Sequence, residues 1–283
     1  MIKPEDLAAF LTVRFGLPVI ADSRRLPEGQ QLTVRPADVP RTIGFSVSFV
    51  VGWRAIEAHF MPASYAVELV QAMQAATVDQ KAAFRIFAAS AVQKGAPIKM
   101  TIGGIPADPA APDTWPSAWR SVEFSMRKGA LVITPEDPLR ETQTVFPWAA
   151  TFFGITLALL PLEPAESAVP VGEAEGAVTL AKVRRYERSR INRAACIEIN
   201  GVRCCVCGFH FGEQYGRVGD GFIHVHHLEP LSMMQESYVI DPAIHLVPIC
   251  PNCHSMAHRK TPPYTPAELK EMRSLGIQSG LHN

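Results

Sequence analysis

Net charge is absent from this chain of 283 residues, in which 27 Lys and Arg side chains balance 27 Asp and Glu side chains. Charged residues are also scarce, at 19% of the chain. This balance excludes a uniformly basic nucleic-acid coat protein and a polybasic membrane-surface protein. Any site for nucleic acid must therefore be local.

Long apolar runs are absent as well, and we expect no secretory leader. The longest apolar run covers residues 145–160 and is interrupted by Pro147 and Gly154, whereas a membrane-spanning helix needs about 20 residues. The N-terminus shows no basic segment followed by an apolar stretch, so we expect no signal peptide, no membrane partner and a cytoplasmic location. In that reducing compartment, closely spaced cysteines predict metal ligands rather than disulfides.

Cysteine is missing from the first 195 residues, since all six cysteines lie at or after Cys196. Eight of the nine histidines follow residue 181. This uneven distribution predicts two regions with different chemistry. We expect an N-terminal α+β domain over residues 1–163, an acidic, proline-containing linker over 164–181, and a second domain over 182–283.

Hydrophobic patterns in the N-terminal region predict strands, then helices, then strands, then a helix. The predicted strands cover residues 45–51, 56–60, 98–102, 122–126 and 131–134. The predicted helices begin at Pro4, cover residues 63–76 and 79–94, and end with residues 145–160. The region contains no catalytic motif. Its aromatic pair, Trp115 and Trp119, is either a stacking surface or part of the core.

A basic run opens the C-terminal region, where residues 182–193 carry six positive charges and one negative charge. The run predicts a helix that continues to Asn200. Its charges either bind a phosphate backbone or form a solvated helix face. The arginines considered for DNA contact are Arg184, Arg185, Arg188, Arg190 and Arg193, together with the later Arg259.

Two C-x2-C pairs stand in the C-terminal region. Cys204 and Cys207 form the first pair, and Cys250 and Cys253 form the second. Each pair can direct two thiolates at one tetrahedral ion, and thiolate ligands favour zinc over magnesium. The four cysteines therefore predict a structural Zn²⁺ site. Two cysteines are expected to lie outside it, namely Cys196 and Cys205.

Histidines cluster around the second cysteine pair. A predicted strand over residues 222–225 leads into His226 and His227, which follow each other and therefore point to opposite faces. His254 and His258 have the i, i+4 spacing that places both imidazoles on one helical face. His226, His254 and His258 predict a second site, for a catalytic divalent ion, and His227 is left free to act as a base.

These motifs together resemble HNH endonucleases of the ββα-metal fold, particularly the McrA-like branch. The resemblance runs from about Arg188 to Pro263, little more than a quarter of the chain. It is carried by the two C-x2-C pairs, the His226-His227 pair, the segment 246–254 and His258. It implies a β-hairpin and a helix that hold a catalytic ion, with a structural zinc beside them.

The resemblance also implies roles for individual residues. His227 would be the general base, and His226, His254 and His258 would bind Mg²⁺, Mn²⁺ or another divalent ion. His245 stands where the family usually has an Asn that orients the loop carrying the base, so it is expected to support catalysis. The implied reaction is phosphodiester hydrolysis that leaves 5′-phosphate and 3′-hydroxyl ends.

His224 lies two residues before His226 and therefore on the same strand face. The family often has an acidic residue at this position. His224 is either a hydrogen-bond partner of a metal-bound imidazole or an ordinary strand histidine.

The expected function is that of a metal-dependent endonuclease acting on double-stranded DNA, in restriction or phage defence. By analogy with the McrA-like branch, the substrate would be modified DNA, with the N-terminal domain selecting the target. A homodimer would let a module with one catalytic ion cut both strands. Two alternatives stay open: an effector nuclease gated by an N-terminal sensor or protein-interaction domain, and a non-catalytic zinc-binding DNA module.

Overall fold

The chain divides into two compact units, Met1–Leu162 and Glu163–Asn283. The computed structural model describes residues 1–133, 137–160, 190–228 and 240–279. Helices and strands are mixed within these ranges, so the predicted α+β class is confirmed. No helix in these ranges is both long and apolar enough to cross a membrane. The predicted linker, residues 164–181, lies outside the described residues.

Seven strands of the first unit pair into one antiparallel sheet. They are β1 (Val19–Leu26), β2 (Gly29–Pro36), β3 (Phe45–Gly52), β4 (Ile56–Pro62), β5 (Ile98–Ile102), β6 (Ile105–Pro106) and β7 (Val122–Lys128). The spatial order is β1-β2-β3-β4-β7-β5-β6. After β4 the chain leaves the sheet and forms two helices. It then returns as β5 and β6 at the far edge, and β7 finally pairs between β4 and β5.

Helices cover one face of this sheet. The described helices of the unit are α1 (Pro4–Phe15), α2 (Val67–Gln74), α3 (Val78–Gln93) and α4 (Pro138–Ala158), of which α1, α3 and α4 contact the strands. Alternate strand residues, such as Leu32 and Val34 of β2, are fully buried on the covered face. Helix α4 packs against α1, α3, β3 and β4. The alternation explains why period-two patterns predicted the central strands.

Phenylalanine rings form the core beneath α4. Phe152 and Phe153 are fully buried. The ring of Phe152 lies 6.3 Å from that of Phe49 in β3, and the ring of Phe153 lies 5.5 Å from that of Phe15 in α1, measured between centroids. Each buried phenylalanine stabilises the fold by about 1.5–3 kcal/mol. This apolar contact joins the first helix, the sheet and the last helix of the unit.

One predicted strand, residues 131–134, was wrong. Residues 131–133 form no strand, and Thr134 lies outside the described residues. Ala130 adopts a left-handed φ of 57°, which turns the chain away after β7. The amides of Leu131 and Ile133 then bond to carbonyls at the β3–β4 turn instead of extending a strand pairing. A short apolar alternation does not specify a strand partner.

The β1–β2 hairpin and the first seven residues of α4 were not predicted from the sequence. Most side chains of β1 are exposed or half-buried, so this edge strand lacks the apolar alternation of the central strands. Helix α4 begins at Pro138 instead of Val145 because its first turns are polar and start at an Asp137 cap.

The second unit is built around a short hairpin followed by a helix. Its elements are α5 (Arg190–Asn200), α6 (Phe211–Tyr215), β8 (His224–His227), β9 (Leu246–Ile249), α7 (Pro251–Ala257) and α8 (Pro266–Ser279). Strands β8 and β9 pair antiparallel, with His226 opposite Val247. Strand β8 begins two residues later than predicted and therefore contains both His226 and His227. Buried Ile223, Ile249 and Ala257 join these elements.

We expect Gly154→Ala to destabilise the first unit, although alanine favours helices over glycine by about 1 kcal/mol. A Cβ atom at position 154 would lie 2.5 Å from the buried Phe87 ring. Overpacking of this kind costs about 1–3 kcal/mol. Urea unfolding followed by tryptophan fluorescence measures the effect in this unit, because all four tryptophans precede residue 163.

The control for this steric explanation is Phe87→Leu, which provides room beside position 154. Gly154→Ala should cost less stability in the Phe87→Leu background than in the wild type. A rise in the urea midpoint on Gly154→Ala alone would contradict the steric explanation.

Candidate metal centres

Four cysteine thiols converge in the second unit. Cys204 and Cys207 lie in the turn after α5, while Cys250 precedes α7 and Cys253 lies in its first turn. All four Sγ atoms lie within 4.8 Å of one another, and the cysteines are buried or half-buried. The Sγ atoms of Cys207 and Cys250 are 3.6 Å apart. Tetrahedral Zn–S bonds of about 2.3 Å imply sulfur separations of about 3.8 Å, so the four sulfurs could bind a metal ion such as zinc.

Each cysteine pair sits on a turn whose backbone donates to sulfur. The Cys207 amide approaches Cys204 Sγ at 3.5 Å, and the Cys253 amide approaches Cys250 Sγ at 3.4 Å. Gly208 closes the first turn with a φ of 73°, a conformation that side chains strongly disfavour. Its amide donates to the Cys204 carbonyl. This local geometry follows directly from the C-x2-C spacing.

The thiols differ in acidity. Burial raises the pKa of Cys250 and of Cys253. Burial would raise the pKa of Cys204 as well, but hydrogen bonds with the backbone of Cys207, Cys250 and Val206 lower it to about 7. Four thiolates this close together repel one another unless a cation lies among them. The chemistry of this ligand set therefore fits a divalent metal ion.

The two remaining cysteines lie outside the cluster. Cys196 is buried in α5. Cys205 stands between the two ligands of the first pair, where burial raises its pKa to about 11. Cys205 therefore offers a neighbouring thiol with which the contribution of the four clustered cysteines can be compared.

Three imidazoles form a second cluster. His226 comes from β8, His254 from α7, and His258 directly follows α7. One nitrogen of each ring lies within 4.8 Å of the corresponding nitrogens of the other two. The Nε2 atoms of His254 and His258 are 3.2 Å apart. The ring centroids lie 4.8–5.2 Å from one another.

The elements that carry these rings explain their convergence. Helix α7 begins at the second cysteine pair, so the position of Cys253 also sets that of the adjacent His254. The i, i+4 spacing then places His258 beside His254. Helix α7 packs on β8, which brings His226 to the same place. Three residues from two separate segments thus meet through the β8–α7 contact.

Two of these imidazoles, His226 and His254, are neutral at pH 7. Burial, followed by the charges of neighbouring imidazoles, lowers the pKa of His226 and of His254 to about 4. A neutral imidazole has a lone pair on one ring nitrogen and can bind a metal ion through it. The three rings therefore offer nitrogen donor atoms that suit a divalent ion.

His227 points away from the His226 face. Burial, with a smaller contribution from His245, lowers the pKa of His227 to about 4. Its Nε2 atom is buried and has no hydrogen-bond partner within the part of the chain that the structure describes. His227 is near enough to influence the pKa of His226 and of His254. A buried ring nitrogen without a hydrogen-bond partner is rare in folded proteins, and it marks His227 as a candidate for proton transfer.

His245 organises the loop beside His227. Its Nδ1 atom accepts a hydrogen bond from the Asp241 amide at 2.9 Å. Its backbone carbonyl accepts one from the Leu228 amide, also at 2.9 Å. Leu228 follows His227 directly, so His245 holds the loop to the end of β8. The support of catalysis expected from His245 stays a prediction.

The predicted DNA-contacting arginines lie in different environments. Arg184, Arg185 and Arg188 fall outside the described residues. Arg190 is half-buried at the start of α5, and Arg259 is exposed just after His258. Arg193 is half-buried in α5.

The guanidinium of Arg193 donates to the Ile223 carbonyl at 2.9 Å. This inward orientation was not foreseen in the basic run. The residues on both sides of Arg193, Asn192 and Ala194, are buried, which the sequence pattern did not predict.

Comparison of the chain with models of known families, with curated proteins and with solved structures returns no match. The chemistry of the two clusters therefore carries the functional interpretation. Each cluster has its own ligand type, four sulfurs in one and three imidazole nitrogens in the other.

We expect the purified full-length chain to retain one zinc ion at the four cysteines. Cys207→Ser and Cys253→Ser should each lose most of this zinc, because an alcohol is a much poorer zinc ligand than a thiolate. Zinc content per chain can be measured by inductively coupled plasma mass spectrometry. Cys205→Ser is the matched control and should keep its zinc. Equal zinc content in all three variants would contradict the cysteine site.

Proposed function

We propose that the second unit is a metal-dependent endonuclease of the HNH type that hydrolyses phosphodiester bonds in double-stranded DNA. One observation supports this proposal above the others. The buried, unpartnered Nε2 atom of His227 lies beside three converging imidazoles, so a proton acceptor neighbours a set of metal-binding groups. The β-hairpin followed by α7, with four cysteines at its base, is also the arrangement that the resemblance implies.

The histidines of the site have separate roles in the proposed hydrolysis. His226, His254 and His258 would hold a divalent ion such as Mg²⁺ or Mn²⁺ through ring nitrogens. Such an ion supplies positive charge to the scissile phosphate and to the departing 3′ oxygen. His227 accepts the proton from the water whose oxygen attacks phosphorus. The bond from phosphorus to the 3′ oxygen breaks, and this oxygen takes a proton from solvent water, which leaves a 5′-phosphate and a 3′-hydroxyl.

A neutral His227 is the form that this role requires. With its pKa at about 4, the ring is uncharged at pH 7 and its lone pair can receive a proton. His245 contributes by holding the chain on both sides of the loop that follows His227. Its contribution is to position the base, because its own Nδ1 is already occupied by the Asp241 amide.

A purely structural zinc module explains less of the site. Four cysteines complete a structural zinc site by themselves. The three-imidazole cluster is a separate group with different ligands, and His227 belongs to neither cluster. Full or partial burial of the neutral His226, His227 and His254 rings at one place costs free energy unless they bind something. The enzyme proposal gives each of these side chains a role.

We assign target selection to the first unit and a restriction or phage-defence role to the whole chain. A small nuclease unit has few side chains with which to contact base edges. The face of the sheet opposite the helices carries polar residues such as Gln31, Thr33 and His59, which are half-buried or exposed. Methylated and hydroxymethylated cytosine are the modifications to be tested first.

We expect the full-length chain to cut double-stranded DNA in the presence of Mg²⁺ or Mn²⁺. His227→Ala should lower the cleavage rate by about 10²–10⁴-fold, the usual contribution of a general base. The measurement is initial cleavage rate on matched unmodified, methylated and hydroxymethylated DNA, with ligation of the products to verify their 5′-phosphates.

The matched control is His210→Asn. His210 caps α6 by accepting from the Glu213 amide, and asparagine also caps helices well. This variant should cut at the wild-type rate. Equal cleavage by His227→Ala and the wild type would refute the proposed base. Cleavage of all three DNAs at one rate would refute dependence on modification.

A further inference from the structure

We infer that His224 positions the His254 ring for metal binding by accepting a hydrogen bond from its Nδ1 atom. This inference rests on the proposed function, because it concerns the ion that His226, His254 and His258 would hold. It concerns a histidine that lies outside the three-ring cluster.

The two nitrogens of His254 face different partners. Its Nε2 atom lies 3.2 Å from His258 Nε2, inside the cluster. Its Nδ1 atom lies 3.1 Å from His224 Nδ1, on the other side of the ring. The rings of His224 and His254 are nearly perpendicular, at 89°, with centroids 5.3 Å apart. His254 therefore connects the cluster to His224.

Metal binding fixes the direction of the hydrogen bond between His224 and His254. A neutral imidazole carries its proton on one nitrogen and a lone pair on the other. When the Nε2 lone pair of His254 is directed at an ion, the proton must be on Nδ1. His224 Nδ1 must then present a lone pair to it, and the proton of His224 is on Nε2. By accepting this proton, His224 stabilises the form of His254 that binds metal through Nε2.

The surroundings of His224 hold its ring in place. The Phe222 ring contacts it edge to face, with centroids 6.0 Å apart. The carbonyl of the preceding Ile223 accepts a hydrogen bond from Arg193, which fixes the backbone on that side. Within the hairpin, His224 is paired with Ile249, the residue before Cys250. The acceptor is therefore presented to His254 by a rigid part of the unit.

The test compares His224→Asn with His224→Leu in the full-length chain with zinc at its cysteines. Asparagine Oδ1 is as many bonds from Cα as histidine Nδ1, so it can accept the same hydrogen bond. Leucine cannot accept it and leaves the His254 Nδ1 proton unpaired. Binding of Mn²⁺ is measured by isothermal titration calorimetry, and His258→Ala identifies the binding that belongs to the imidazole cluster.

We expect His224→Leu to weaken Mn²⁺ binding by about 10–100-fold, the usual effect of losing such a partner. His224→Asn should restore most of the affinity. Nitrogen-15 NMR of the wild type with Zn²⁺ added to the imidazole cluster should show the His254 proton on Nδ1. Unchanged zinc at the cysteines would establish that both variants are folded.

Two results would overturn the inference. One is a His224→Leu variant that binds Mn²⁺ as tightly as the wild type. The other is a His224→Asn variant as weak as His224→Leu while both retain their cysteine-bound zinc. A wild type that binds Mn²⁺ at the cluster but cuts no DNA would refute the nuclease and leave this inference standing. A wild type that binds no second ion would refute both.

Discussion

The convergence of four cysteine sulfurs is the constraint on which the second unit depends. It joins the turn after α5 to the first turn of α7, although these segments are far apart in sequence. Four thiolates at such distances would repel one another, and a divalent cation bound among them would act as a cross-link. Because Cys253 and His254 are neighbours, such a cross-link would also set the position of α7 and the direction of its imidazoles.

The first unit is stabilised in a different way. A seven-stranded sheet and the helices on one face bury a continuous set of apolar side chains, with phenylalanines at its centre. Burial of this kind needs no ion, since each ring exchanges water for close-packed neighbours. The close contact of Gly154 with Phe87 shows how little space α4 leaves over α3. The first unit therefore rests on a large apolar core, whereas the second combines a smaller apolar cluster with four cysteines that could bind a metal ion.

One short strand supplies most of the candidate chemistry. Successive residues of a strand point to opposite faces, so His226 turns toward α7 while His227 turns toward the loop held by His245. His224 shares the face of His226 and reaches His254. This alternation keeps the proposed metal ligands on one side of the strand and the proposed base on the other, within reach of each other's electrostatic influence.

The sequence by itself determined what depends on short spacings. The C-x2-C turns, the i, i+4 pair of His254 and His258, and the apolar alternation of the central strands are local, and each was predictable because its geometry involves only neighbouring residues. The tertiary structure decided what depends on distant partners. The largely exposed β1 strand has no apolar alternation that would reveal its pairing with β2. The hydrogen bonds of Arg193 with the Ile223 carbonyl and of His224 with His254 each join residues 30 positions apart, and no periodic pattern encodes such contacts.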